Sequence, residues 1–279
     1  MNYRHLYHAG GFADVFKHIV LSLVLARLAA KETSFCVLDT HAGIGRYDLQ
    51  LPEAQKTGEY RQGIGRLLPV PDAPPELSPY LDLIRSLNPD GGLRWYPGSP
   101  LLEQRLTRPQ DRLVLMELHP EDARDLRRRF ADDPRIGVHH QDGYLGLKAF
   151  LPPKERRGLV LIDPPYEARD ELAQAATALQ AAHRRWPTGV YLLWYPIKDR
   201  PPIRRFHAGL KAAPVPKMLA VELLVQADDS PERLNGSGLI LVNPPWQLDR
   251  TLKSLLPWLG DKLQQAKGAR TELRWLRPE

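Results

Sequence analysis

Apolar runs that end on polar groups constrain this chain's fold more than any other feature. FCVLD (35–39), RLVLME (112–117) and GLVLID (158–163) are such runs, and RIGVHH (135–140) leads straight into QDGY. Continuous apolar runs of this length read as strands buried on both faces of a parallel sheet. Helical patterns stand between them. One starts near Asp14, a candidate cap, and reaches about residue 30 with Val15, Ile19, Leu23, Ala26 and Ala30 at helical spacing. Others cover about 120–130 and 171–184, and GVYLLWY (189–195) follows as a further strand. Strands alternating with helices predict an α/β fold with a mostly parallel sheet. KMLAVELLV (217–225) and GLILVN (238–243) have only a loop between them, so an antiparallel hairpin is expected at the sheet edge, with the last strand antiparallel.

One spacing is unusual. In a nucleotide-binding βαβ unit, an acid ending the second strand lies ~20 residues past the glycine turn. Here Glu117 lies several times farther from Asp39. The intervening EYRQGIGRLL and LSPYLDLIRSLN read as short helices, so 50–95 is taken as a small inserted helical subdomain. Residues 1–49 and 96–279 then form the main domain.

Composition narrows the class. Of 279 residues, 43% are hydrophobic and 26% charged, as in globular chains. The longest apolar run, IVLSLVLARLAA, is shorter than the ~20 residues of a membrane span, and the His-rich start is not signal-like. A single cysteine, Cys36, excludes internal disulfides and multi-cysteine metal sites; within a strand it reads as a small buried apolar residue. No H-E-x-x-H or similar ligand spacing occurs, so no metal is expected. A net charge of +6 suggests an anionic partner. Among the basic clusters, RRR (127–129), HRRW (183–186), KERR (154–157) and KDRPPIRR (198–205), the last two are taken as candidates for phosphate contact.

The strand ends carry the chemistry. LDTHAGIGRY gives Gly43 and Gly45, but Asp48 stands where a dinucleotide fingerprint has its third glycine. Such a turn also suits the amino-acid part of S-adenosylmethionine (SAM). Glu117 can accept ribose hydroxyls. Asp142 can accept from an adenine amino group, with Gly143 clearing space for the base. The fourth strand ends in Asp163-Pro164-Pro165-Tyr166. Each proline fixes its own φ and lacks an N–H, so the chain leaves the strand stiff and extended with free carbonyls. A row of acceptors beside an aromatic face suits a flat group carrying an amine. Four polar strand ends on one edge favour a SAM-dependent enzyme over a bare α/β scaffold.

DPPY after the fourth strand resembles the amino-methyltransferase motif of adenine-N6 enzymes. YRHLYHAGGFADVFKH, LDTHAGIGRY, TGEY (57–60), YPGSP (96–100), MELHP, RRGLVLIDPPYE, LLWYP and ELRWLRPE together resemble the RlmJ family, from the first residues to the last. Gly11-Phe12 depart from the polar residues typical there. The resemblance implies a Rossmann-like SAM-dependent methyltransferase fold with a small helical insertion. It implies N6-methylation of the adenine conventionally numbered 2030 in 23S rRNA. His18, His41, Ser99, Glu117, Asp142, Gly143 and Asp163 match the family's cofactor contacts; Asp163 also matches its catalytic residue, and Tyr3 a residue that meets RNA. Lys17, beside His18, is a candidate for the SAM carboxylate.

In this reading Asp163 and the Pro164 carbonyl accept the adenine amino hydrogens while Tyr166 stacks on the base. The adenine must be unpaired or flipped out to enter. The expected substrate is protein-free 23S rRNA or an early assembly intermediate, and the chain is expected to act as a cytoplasmic monomer without a membrane. NPPW (243–246) repeats the tetrad but ends an antiparallel strand, so it is expected away from the cofactor edge. Three rivals differ in what they predict. A DNA adenine-N6 methyltransferase requires a DNA-recognition domain; a non-catalytic RNA-binding protein would not respond to SAM; a nicotinamide dehydrogenase lacks its third glycine here.

Overall fold

The computed structural model describes residues 5–278; Tyr3 lies outside the described residues. Among the described residues ten strands are formed: β1 Cys36–Asp39, β2 Arg46–Asp48, β3 Trp95–Pro97, β4 Arg112–Glu117, β5 Ile136–His140, β6 Gly158–Ile162, β7 Val190–Ile197, β8 Met218–Leu224, β9 Gly236–Val242 and β10 Arg270–Arg277. Eight of them make one sheet in the order β10-β8-β9-β7-β6-β1-β4-β5. Pairing is parallel from β5 through β7 and antiparallel from β7 through β9 and β8 to β10.

Alternation along each central strand explains the two-sided core. On β1, Val37 joins one apolar cluster while Cys36 and Leu38 join the other. The first cluster lies under helices Phe12–Ala29, Pro120–Arg129 and Leu248–Leu263, the second under Glu171–Arg185 and Arg200–Ala212. Helix Phe12–Ala29 is apolar nearly all round because it is covered nearly all round: the sheet packs on one side, and Ile64, Leu67, Tyr80 and Ile84 from the 50–95 segment join the same cluster. That segment is helical at Pro52–Thr57, Glu59–Gln62, Ile64–Leu67 and Ser78–Leu87. β2 and β3, an antiparallel pair, stand at its two ends. Its Ile64 N–H donates to the Gly10 carbonyl at 2.9 Å, and the Thr57 hydroxyl donates to the Tyr7 carbonyl.

Several expectations are corrected. Gly11, not Asp14, precedes the first helix; Asp14 sits buried in its first turn. The late hairpin is not at the edge, because β10 adds outside β8. Its stretch, RTELRWLR, carries four charges and lacks the apolar run that marks the other strands. Of the basic clusters, KERR and HRRW precede β6 and β7, so they lie at the amino edge of the parallel strands. KDRPPIRR follows β7, at the carboxyl edge. Asn243 follows β9, whose Val242 is in register with Tyr191 near the start of β7. It is therefore at the edge opposite Asp163, and its amide donates to the Pro187 and Gly189 carbonyls at 2.8 Å each.

Candidate active site

The carboxyl edge gathers polar side chains because each parallel strand delivers its last residue there. β1 ends on Asp39, which water does not reach. Its carboxylate accepts from the Ser99 hydroxyl at 2.6 Å and from the His41 N–H at 3.1 Å. Burial pushes the Asp39 carboxyl up to about 7. The following turn bends through Gly43 (φ 63°) and Gly45 (φ 79°), left-handed conformations that favour glycine. The turn is tied to β4: the Gly43 N–H donates to Glu117 Oε2 at 2.8 Å, and the His119 N–H to Oε1 at 2.7 Å. Both carboxylate oxygens are thus fixed, each with a lone pair to spare. Burial raises the Glu117 pKa.

The helix Phe12–Ala29 brings a second set. Lys17 Nζ lies 2.8 Å from Asp14 Oδ1 and 2.5 Å from Asp163 Oδ2, and these two carboxylates outweigh its burial and raise its pKa. His18 stacks on Tyr96 and shares a 2.9 Å hydrogen bond with its hydroxyl through Nδ1. Among the described residues, His18 Nε2 is buried without a hydrogen-bond partner. Desolvation lowers both His18 and His41 to about 4, so both are neutral at pH 7.

Two clefts meet here. The first, open to solvent, is lined by Lys17, His18, His41, Gly43, Ser99 and Glu117, and by Asp163, Pro164 and Pro165. The second is lined by Asp14, Lys17, Glu59, Asp163, Pro165, Tyr166, Trp194 and Lys198. His5, Lys17, Asp163 and Pro165 form a wall common to both. Tyr166, at φ 54°, donates its hydroxyl to the Trp194 carbonyl at 2.5 Å and sets its ring edge-on to Trp194. The DPPY stretch is thereby pinned to β7.

The structure thus assembles Lys17, His18, His41, Ser99, Glu117, Asp163 and Pro164 around one cleft, with Tyr166 in the neighbouring one. Asp142 and Gly143 stand one strand farther along, after β5, outside the walls of either cleft. Asp142 caps helix Gly143–Phe150, accepting from the Leu145 N–H at 2.9 Å, and is close enough to His41 to favour its protonation. The space at Gly143 serves a different purpose from the one expected: a Cβ there would lie 2.1 Å from the Thr40 carbonyl oxygen, so glycine lets this helix abut the end of β1. Lys17, proposed for a cofactor carboxylate, holds two protein carboxylates instead. Sequence reasoning missed Asp39 and Asp14 as site residues. Asp39 had a signal, since it ends its strand's apolar run as Asp163 ends the run of β6. Asp14 looked like a helix cap, and its contact with Lys17 appears only once the helix starts at Phe12.

The family profile described as "Ribosomal RNA large subunit methyltransferase D, RlmJ" matches residues 32–277. Ribosomal RNA large subunit methyltransferase J of Haemophilus influenzae is 45% identical over 280 residues, spanning all of both chains. The Escherichia coli K12 protein of the same name is 44% identical over 279 residues, again over all of both chains. The crystal structure of protein LPL1258 from Legionella pneumophila superposes with a TM-score of 0.89 at 34% identity, covering 96% of this chain and 98% of that one. With a matching profile over most of its length and full-length relatives at this identity, the chain belongs to the RlmJ family.

Proposed function

We propose that this protein methylates the N6 amino group of a single adenine of 23S rRNA, the one conventionally numbered 2030, with SAM as methyl donor, and that it does so in the cytoplasm. The observation that carries the proposal is the wall shared by the two clefts, His5, Lys17, Asp163 and Pro165. A transferase that joins two substrates needs its acceptor-binding group at such a partition.

The first cleft fits the cofactor. It offers fixed carboxylate lone pairs at Glu117, the backbone of a glycine turn, and the buried Nε2 of His18, 3.5 Å from Asp14 Oδ1 and free of hydrogen bonds among the described residues. Glu117 would hold the ribose hydroxyls, while His18, His41 and Ser99 hold the amino-acid part. Asp142 and Gly143 would flank the adenine end. When bound, SAM supplies an electrophilic methyl group on a sulfonium.

The protein's own contribution is orientation. The lone pair of an adenine amino nitrogen is delocalised into the ring, which makes it a poor nucleophile. Asp163 and the Pro164 carbonyl accept the two amino hydrogens and steer the nitrogen towards tetrahedral geometry. The Lys17 ammonium fixes the direction of Asp163, and Asp14 anchors Lys17 from behind. Tyr166, already pinned to β7, presents an aromatic face for the base. Asp163 takes the released proton once the amine is methylated and its pKa has fallen. Residues 50–95 act as an inserted subdomain that closes one side of the second cleft through Glu59.

The test is methyl transfer from labelled SAM to protein-free 23S rRNA lacking the modification. Wild type should label one adenine as N6-methyladenine. Asp163→Ala should lose at least ~10²-fold in rate, the scale of a positioned acid–base group. An Asp163→Ala enzyme that retains wild-type transfer overturns the assignment. Transfer to duplex DNA but not to RNA would move the substrate to DNA.

A further inference from the structure

A flipped-out adenine in the second cleft brings the phosphates of its neighbours to the cleft mouth. Two of the segments that line the cleft lead from it towards helices Glu171–Arg185 and Arg200–Ala212. On one side run Asp163, Pro165 and Tyr166; on the other, Trp194, Pro196 and Lys198. Both segments continue into a further groove, where Arg169 and Asp170 face Pro202, Arg205 and Phe206 between helices Glu171–Arg185 and Arg200–Ala212. Arg169 lies three positions after Tyr166 and Pro202 four after Lys198, so both segments pass directly from the cleft lining to the groove lining.

Lys198, Arg169 and Arg205 are exposed, and no side-chain hydrogen bond or ion pair engages them among the described residues. Arg200, in the same basic stretch, is unavailable: it is bound to Glu222 and Asp228. KERR and HRRW lie at the opposite edge of the sheet. Of the acids along this line, Asp14 and Asp163 are held by Lys17, while Glu59 and Glu232 line the cleft and Asp170 the groove.

We propose that the RNA strand adjoining the target adenine leaves the second cleft past Lys198 and lies between helices Glu171–Arg185 and Arg200–Ala212, its phosphates meeting Lys198, Arg169 and Arg205. The inference deepens the proposed function and rests on it. Phosphate contacts fix the position of a strand without reading its sequence. Their signature is therefore salt dependence rather than altered target choice.

The probe is a single-stranded RNA fragment carrying the target adenine. Its dissociation constant is measured against salt for wild type, for Lys198→Ala/Arg205→Ala, and for Lys154→Ala/Arg184→Ala at the opposite edge; KM and kcat for methyl transfer are measured alongside. Each lost phosphate contact lowers the log–log salt slope by ~0.7 for a single strand. The Lys198/Arg205 pair should thus flatten the slope by ~1.4 and weaken binding ~10-fold near physiological salt. KM should rise in parallel, and kcat at saturating RNA should stay at the wild-type value. The Lys154/Arg184 pair should match wild type in all respects. An unchanged slope in the first variant, or an equal fall in the second, overturns the path. If wild type transfers no methyl to RNA, the functional reading fails; an active wild type with an unchanged slope sinks the path alone.

Discussion

At Asp39 a strand ends on a carboxyl that water does not reach, and that carboxyl orients two of the residues proposed to hold the cofactor, Ser99 and His41. Burial raises its pKa to about 7, against ~3.9 for an unfolded aspartate. The sign of the resulting pH dependence follows directly. Between about pH 4 and pH 7 the folded chain keeps a proton at Asp39 that the unfolded chain has released. The stability contributed by Asp39 therefore falls as pH rises through that window and is lost above it, while His18 and His41, lowered to about 4, contribute in the opposite direction in both proteins. Asp39→Asn cannot ionise, so its stability should lack this component, which is on the order of a few kcal/mol. Glu103, also buried and also raised, contributes in the same direction but is common to both proteins, as are Lys17 and Asp163 near Asp39. Thermal unfolding of both proteins at pH 5 and pH 8 checks it. An equal drop in the two would show that Asp39 stays ionised across the range.

The proline pair recurs at the ends of two strands, and what differs is the direction of the element. β6 runs parallel to β1 and delivers Asp163 to the clefts; β9 runs antiparallel to β7 and delivers Asn243 to the far edge. There the Asn243 amide satisfies two carbonyls ahead of β7, those of Pro187 and Gly189. Asn243→Ala should leave methyl transfer at the wild-type rate, because nothing in either cleft changes. It should cost about 1–2 kcal/mol of stability from the two lost hydrogen bonds, or a few degrees in melting temperature. A folded Asn243→Ala protein with impaired transfer would mean that the second tetrad, not DPPY, serves the reaction. The same reasoning applies to Gly143, whose importance lies in how a helix meets a strand.

For the molecule as a whole, the parallel half of the sheet was legible in the sequence because buried strands must be apolar and their ends must face one edge. FCVLD, RLVLME and GLVLID could be placed on those grounds, and the acids at their ends with them. β10 was not legible: an edge strand keeps only one neighbour, so RTELRWLR can carry charges that a central strand cannot. The join between the two halves of the site was also hidden. Lys17 meets Asp163 across 146 residues, a contact set by how helix Phe12–Ala29 lies on the sheet and marked by no local pattern. Glu117 offers a test of whether the assembled edge works as one cofactor site. Both its oxygens hold backbone N–H groups, one from the β1 turn and one from its own strand end. Glu117→Gln has one carbonyl oxygen where two acceptors are needed, so Gly43 or His119 loses its partner and the turn loosens against β4. A tenfold weaker grip on SAM lowers ligand-induced stabilisation by ~1.4 kcal/mol at saturating cofactor. In a chain of this size that is about 3–5 °C in melting temperature. The SAM-induced shift in Glu117→Gln should therefore fall by that amount, while Asn243→Ala keeps the full shift. Equal shifts in all three proteins would place the cofactor away from the β1 turn and detach the first cleft from the reaction.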